Sequence, residues 1–153
     1  MRRLLPAVVL FLTAAAPASA AEGKSPEEVR PRVDHHLRHV EDLAQHFESV
    51  MTAACPRFAS PVEWDRYLDG QVDRVVLLVA HVEQAWLEAK TTGDDDVRRV
   101  AKAPRKRLEE ARALLDKLSG CADANGSALD RLALWRRIER AVPQRQAEIA
   151  LPQ

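Results

Sequence analysis

Residues 60–86 read SPVEWDRYLDGQVDRVVLLVAHVEQAW, and this stretch decides the fold class. It opens with a helix start signal: Ser60 can cap, Pro61 suits the first helical position, and Glu63 completes a capping box. Apolar residues then recur at spacings of three and four, which is typical of a helix that buries one face. They are Trp64, Leu68, Val72, Val75, Val79, Val82 and Trp86. The stretch predicts a long amphipathic helix over about residues 61–91.

The flanking sequence has the same character, with few glycines and almost no alternating β-branched runs. Apolar residues at helical spacing predict three more helices, at about residues 31–54, 95–119 and 127–142. Pro31 suits the first turn of the first of these helices, and Pro56 disfavours continuation beyond it.

Prolines and glycines also mark the second half of the chain. We expect Pro104 to bend the third helix or delay its start, and Gly120 to stop that helix. Ser127 is the expected cap of the fourth helix, and Pro143 is expected to kink or end it. The residues that this last helix should bury are Leu129, Leu132, Trp135, Ile138 and Val142.

Four amphipathic helices joined by short loops favour antiparallel neighbours. We therefore predict an all-α fold: one up-down-up-down four-helix bundle over residues 21–153. In such a bundle the odd-numbered helices end at the same pole. Cys55 follows the first helix and Cys121 the third, so the topology predicts a Cys55–Cys121 disulfide in an exported chain.

Residues 1–20, MRRLLPAVVLFLTAAAPASA, have the three parts of a secretory signal peptide. Arg2 and Arg3 provide the positive start, Leu4 to Leu12 the apolar middle, and Ala18 to Ala20 a small-residue cleavage site. The apolar run is short for a bilayer span, and no second candidate follows it. We expect an exported protein, in a bacterial-type periplasm or outside the cell, with no transmembrane segment after cleavage.

The chain carries 23 basic and 23 acidic residues, distributed unevenly. Residues 21–96 hold 8 basic and 16 acidic side chains, and residues 97–153 hold 13 and 7. A neutral chain lacks the cationic excess that nucleic-acid binding requires, so no nucleic-acid partner is expected. The favoured interpretation is that the two halves attract each other within one fold. The alternative is a basic surface for an anionic partner such as lipid headgroups.

Residues 33–47, VDHHLRHVEDLAQHF, contain four of the five histidines. On a helical wheel His36 falls within the apolar face of the first helix. Four side chains line one border of that face: His35, His39, Asp42 and His46. Imidazole and carboxylate at helical spacing are candidate ligands for a transition metal.

The helical rise separates His35 from His46 by about 16 Å, so they cannot share one ion. The pattern therefore offers a His35/His39 pair and an Asp42/His46 pair, each needing ligands from elsewhere. His81 lies well off the apolar stripe of the second helix and is not expected to face the first. The competing interpretations are an ordinary polar border that forms ion pairs and a pH-responsive role.

The sequence lacks the common nucleophile, phosphate-binding and dinucleotide motifs. The leading hypothesis is an exported, non-enzymatic helical bundle with a structural or binding role. The alternative is a weak transition-metal-binding protein, and an enzyme of unknown reaction comes third. No cofactor other than such a metal is expected. Val76 and Leu77 fall on the far side of the second helix, where they would serve either a homodimer or a wide buried face.

Overall fold

The computed structural model describes residues 23–149, so the predicted signal peptide lies outside the described residues. Within that range the chain is helical and has no strand. The helices are α1 (Pro26–Thr52), α2 (Pro61–Ala89), α3 (Asp95–Lys102), α4 (Arg107–Ala122) and α5 (Arg131–Glu148). α3 and α4 form one rod broken by a 3₁₀ turn, so four antiparallel rods make the predicted bundle. No helix in the described range is both long and apolar enough to cross a bilayer.

The first two helices begin at capping boxes or close variants of them. At α1 the backbone N–H of Glu28 donates to Ser25 Oγ at 3.3 Å, and the N–H of Ser25 donates to the Glu28 carboxylate at 3.3 Å. This box starts α1 five residues before the predicted start at Pro31. Pro31 lies inside the helix, where its missing N–H gives up a single early hydrogen bond. At α2 the Ser60 side chain accepts from the N–H of Glu63, as predicted.

The third rod breaks where Pro104 was expected to bend it, in the 3₁₀ turn Ala103–Lys106. The predicted stop at Gly120 is wrong, because α4 continues through Gly120 to Ala122. Cys121 and Ala122 are both buried in the core. Their burial, together with the disulfide, stabilises a last helical turn that glycine by itself would disfavour.

The predicted bounds of the last helix, residues 127–142, are also wrong. Asp130, not Ser127, is the cap, and its carboxylate accepts from the N–H groups of Leu132 and Ala133 at 2.9 and 3.1 Å. The helix passes through the exposed Pro143 and ends at Glu148. The apolar side chains on both sides of Pro143 pack on the core and hold the helix together across the lost hydrogen bond.

This later start changes which residues of α5 are buried. Leu132 is 60% exposed, whereas Leu134 is buried together with Ile138 and Val142. The spacing of four places these three on the side of α5 that packs against α2. Leu129 and Trp135 are only partly buried.

α2 is the central helix, since it packs against α1, α3, α4 and α5. Its buried arc is correspondingly wide and includes Val76, which is 3% exposed, while Leu77 is partly buried. The apolar face of α2 therefore serves the core of this chain. A homodimer through α2 stays a prediction.

The hydrophobic core has two parts. The larger cluster fills the middle of the bundle and includes Phe47, Trp64 and Leu114. The smaller cluster joins the start of α1 to the end of α2 and to α3. It consists of Val29, Val33, Ala89, Val97 and Ala101, with Leu37 and Trp86 packed against it.

The predicted disulfide joins Cys55 to Cys121, with the two Cα atoms 5.5 Å apart. It closes the pole at which α1 and α4 end, as expected for the predicted up-down order of the rods. Lys117 adds to this closure by donating from Nζ to the backbone carbonyls of Met51, at 2.6 Å, and Ala53. A cation at these carbonyls also compensates the negative end of the α1 dipole.

The Asn125 side chain links the loop after α1 to the end of α4. Its amide nitrogen donates to the carbonyls of Pro56 and Cys121, each at 3.0 Å, and its amide oxygen accepts from the N–H of Phe58 at 3.0 Å. Asn125 is only 8% exposed, so water cannot easily replace these three bonds.

Substituting Asn125 with Ala is expected to lower the free energy of unfolding by about 2 kcal/mol, since buried backbone groups lose their partners. Urea unfolding followed by circular dichroism measures the change. The control is Asp123→Ala, because Asp123 is close in size to Asn125 and is exposed in the same turn. This substitution should lower the free energy of unfolding much less. Equal losses for the two variants would contradict a specific role for Asn125.

Ion pairs connect the acidic first half of the chain to the basic second half. Arg107 pairs with Glu41 at 2.9 Å, and Arg137 pairs with Asp69 at 2.8 Å. Arg145 lies 4.0 Å from Asp73. These contacts agree with the interpretation that the two halves attract each other. Being largely exposed, each contributes little to stability.

Candidate functional site

Four histidine rings converge between α1 and α2. The centroids of His35 and His39 lie 4.8 Å apart, one helical turn from each other on α1. The ring of His81, from α2, stacks on that of His39 at 4.6 Å with an interplanar angle of 19°. The His36 ring lies 5.2 Å from both His35 and His81. We call His35, His36, His39 and His81 the histidine cluster.

The position of His81 corrects the sequence-based expectation that it points away from the first helix. It is 6% exposed and lies in the α1–α2 interface. The wheel assigned α2 a single buried stripe, but α2 is surrounded by neighbours and its buried arc reaches His81. The available signal was the continuous apolar run before His81, residues 75–80, which is typical of a helix buried on more than one side.

His36 and His81 form a buried pair across the interface. Their Nδ1 atoms lie 2.9 Å apart, so one ring must carry its hydrogen on Nδ1 and donate to the other. His36 is fully buried, as its place on the apolar face predicted, and its Nε2 has no hydrogen-bond partner. On α1, His36 lies between Val33 of the smaller apolar cluster and Val40 of the larger one. The pair is therefore a polar contact between two apolar clusters.

The environment of this pair favours neutral imidazole. Burial, followed by repulsion from His35 and His39, lowers the pKa of His36 to about 4. Burial, followed by repulsion from His39, His36 and His35, lowers the pKa of His81 to about 3. At neutral pH both rings are uncharged, which is the form that binds metal ions.

The outer part of the cluster borders an open cavity of about 260 Å³. His35, His39 and His81 line it together with Leu77 from α2. The far wall comes from the end of α5 and consists of Arg145, Glu148 and Ile149. The sequence offered no signal for this wall, because it was expected to lie beyond the end of the last helix.

The second predicted ligand pair lies elsewhere on α1. His46 Nε2 lies 2.9 Å from the side-chain oxygen of Gln71 on α2. Asp42 is exposed. About 10 Å of helical rise separates His46 from His39. The structure thus brings His35 and His39 together and adds His36 and His81 to them, while His46 and Asp42 stay outside the cluster.

The distance between ring centroids in the cluster is close to the distance expected for two histidines that bind one metal ion. Two imidazoles bound to one ion at about 2 Å have ring centroids roughly 5 Å apart. His35 and His39, at 4.8 Å, match this value. In the arrangement seen, however, no three His, Cys, Asp or Glu side chains between residues 23 and 149 form a metal site. Coordination by three ligands requires the exposed His39 ring to turn out of its stack on His81.

Comparisons with protein-family models, with curated proteins and with solved structures give no match to this chain.

Proposed function

We propose that this chain is an exported, non-enzymatic helical-bundle protein that binds a transition-metal ion at the histidine cluster. The observation that carries the proposal is that His35, His39 and His81, from two helices, line one wall of the same open cavity. The proposed ligands are these three histidines. His36 is a positioning residue, because its hydrogen bond holds the His81 ring in place.

The chemistry of the cluster favours a borderline metal such as Cu²⁺, Ni²⁺ or Zn²⁺, since these ions prefer imidazole nitrogen. The lowered pKa of His81 supports binding at neutral pH, because no proton has to be displaced from it. Glu148 lines the same cavity, and its negative charge would partly balance the charge of the ion.

Two independent features support export. The first is the signal-peptide pattern of residues 1–20. The second is the Cys55–Cys121 disulfide, which is typical of chains that fold in an oxidising compartment. A non-enzymatic role is proposed because the sequence carries none of the common nucleophile, phosphate-binding and dinucleotide motifs.

Metal titration of the mature protein tests this proposal. We expect about one equivalent of Cu²⁺, Ni²⁺ or Zn²⁺ to bind at micromolar concentration in isothermal titration calorimetry. His35→Ala/His39→Ala should weaken binding by about 100-fold or more, since two ligands are lost. The matched control is His46→Ala, which removes a histidine of the same helix outside the cluster and should bind like the wild type.

The proposal is overturned if the wild type binds no metal at micromolar concentration, or if His35→Ala/His39→Ala binds as tightly as the control. Native mass spectrometry of the same samples shows whether the chain forms a homodimer and how many metal ions each chain binds.

A further inference from the structure

A second surface, which shares no residue with the histidine cluster, surrounds Trp86. Three cations lie over its ring: Lys102 Nζ at 4.8 Å from the centroid, Lys90 Nζ at 5.1 Å and the Arg105 guanidinium at 5.2 Å. They come from the end of α2, the end of α3 and the 3₁₀ turn that follows. The ring itself is partly buried against the smaller apolar cluster, so its position is fixed by the fold.

Positive charge is concentrated at a depression in the surface beside Trp86. Trp86, Lys90 and Lys102 line a depression of about 490 Å³, together with Asp95, Arg98 and Arg99. The two arginines are paired with aspartates of their own helix, Arg98 to Asp95 at 3.8 Å and Arg99 to Asp96 at 2.6 Å.

The three cations over the ring are not neutralised in this way. None of the ion pairs formed within residues 23–149 includes Lys90, Lys102 or Arg105. Each cation–π contact is favourable, while the like charges held around one ring repel one another. An anion placed among them removes that repulsion and gains charge-assisted hydrogen bonds.

We propose that the Trp86 surface binds a phosphate group, with Lys90 and Lys102, which line the depression, as its ligands. Arg105, at the same ring, adds positive charge, and the Trp86 ring lies beneath the organic part attached to the phosphate. Phosphate fits because lysine offers a point charge and arginine a planar fork, both suited to its oxygens. The depression, at about 490 Å³, has room for a group attached to the phosphate. That group is either a soluble molecule or a lipid headgroup.

The test follows the indole N–H signals of the three tryptophans in ¹⁵N-labelled, chelator-treated protein during titration with inorganic phosphate at constant ionic strength. We expect a saturable shift of the Trp86 signal. Trp135 is an internal control, because a single cation, Arg112, lies over its ring at 5.1 Å. The variant Lys90→Gln/Lys102→Gln/Arg105→Gln should weaken phosphate binding by about tenfold or more.

The matched control is Arg66→Gln/Arg136→Gln/Arg140→Gln, which changes the net charge equally at three exposed positions away from Trp86. It should bind phosphate like the wild type. If the control loses as much affinity as the Lys90/Lys102/Arg105 triple variant, the site does not exist. The same conclusion follows if the Trp86 signal shows no saturable shift up to tens of millimolar phosphate.

A second arm identifies the source of the phosphate. Phosphatidylcholine vesicles with and without phosphatidylglycerol are sedimented with the protein. Three results together identify a lipid headgroup. The protein sediments only with vesicles that contain phosphatidylglycerol, the Lys90/Lys102/Arg105 triple variant does not sediment with them, and added phosphate competes with the vesicles. Phosphate binding in solution without such sedimentation identifies a soluble phosphorylated ligand. Since the metal is removed throughout, failure here leaves the metal-binding proposal untouched.

Discussion

Acid is expected to unfold this protein well before its carboxylates are fully protonated, because the His36–His81 pair must stay neutral in the folded state. The pKa of His36 is lowered to about 4 and that of His81 to about 3. In the unfolded chain both return to about 6.5. The unfolded state therefore binds more protons than the folded state between these values, and stability falls as the pH falls.

The size of this effect follows from proton linkage. Above about pH 6.5 both rings are neutral in both states, and the pair makes no pH-dependent contribution. Below that value each additional proton bound by the unfolded state raises the unfolding constant up to tenfold per pH unit. Two such groups raise the unfolding constant by up to about 100-fold per pH unit, until His36 becomes protonated in the folded state near pH 4. The full stabilisation is present above pH 6.5; the contribution of His36 is lost between pH 6.5 and about 4, and that of His81 between pH 6.5 and about 3.

Other titratable or charged groups lie near the pair, and their effect on stability has to be separated from that of the pair. His35 and His39 lie beside it on α1, and Arg145 and Glu148 face the same cavity from α5. The comparison uses metal-free protein and His36→Leu/His81→Leu, which removes both partners and leaves no buried polar group unpaired. Carboxylates and the outer histidines remain in both proteins, so the difference isolates the pair.

Urea unfolding at intervals between pH 4.5 and 8 measures this difference. The wild type should lose stability relative to the double variant as the pH falls below 6.5. His35→Gln/His39→Gln is the matched control, and its stability profile should keep most of the wild-type pH dependence. A wild-type-minus-variant difference that does not change with pH would show that the pair is not the acid-sensitive element.

Loss of the disulfide has the second-largest expected effect. Cys55 and Cys121 are 66 residues apart, and closing a loop of that length restricts the unfolded chain strongly. The chain-entropy relation gives a stabilisation of about 4 kcal/mol. The variant Cys55→Ser/Cys121→Ser should therefore melt roughly 15 °C below the oxidised wild type.

Thermal unfolding by circular dichroism measures this change, and two controls accompany it. Reducing the wild type with a phosphine should reproduce the lower melting temperature, while the reductant should not affect the serine variant. If the oxidised wild type and the serine variant melt within a few degrees of each other, the disulfide contributes little. The bridge closes one pole, and about 24 Å of helical rise separates His36 from the end of α1 at Thr52, just before Cys55. The acid effect and the disulfide effect should therefore be additive.

The most accurate predictions from sequence rest on interactions between residues close together in the chain. The start of α2 at Pro61 depends on Ser60 and Glu63, and the break at Pro104 depends on a proline in a helical pattern. Each is decided within one turn of helix. The disulfide is the exception, because it is long-range. It was predictable because an up-down topology puts the ends of alternate rods at one pole.

Errors arose where tertiary packing overruled such local signals. Gly120 and Pro143 both disfavour a helix, yet α4 and α5 continue through them because buried side chains follow. In α4 these are Cys121 and Ala122. In α5 it is the partly buried Ile149, at the C-cap. The first histidine pair was found from sequence because His35 and His39 are one turn apart. The second pair, Asp42 and His46, followed from the same spacing, but the His46 ring lies against Gln71 instead.

The sequence alone therefore determined the helices, their antiparallel order and the covalent closure of one pole, because caps, prolines and apolar spacing act over a few residues. Only the tertiary structure decided that His81 meets His36 and His39, and that Lys90, Lys102 and Arg105 gather over Trp86. Both groupings depend on how many helices surround α2 and on where the third rod bends. Those are properties of the packed core, in which the burial of one side chain depends on all its neighbours.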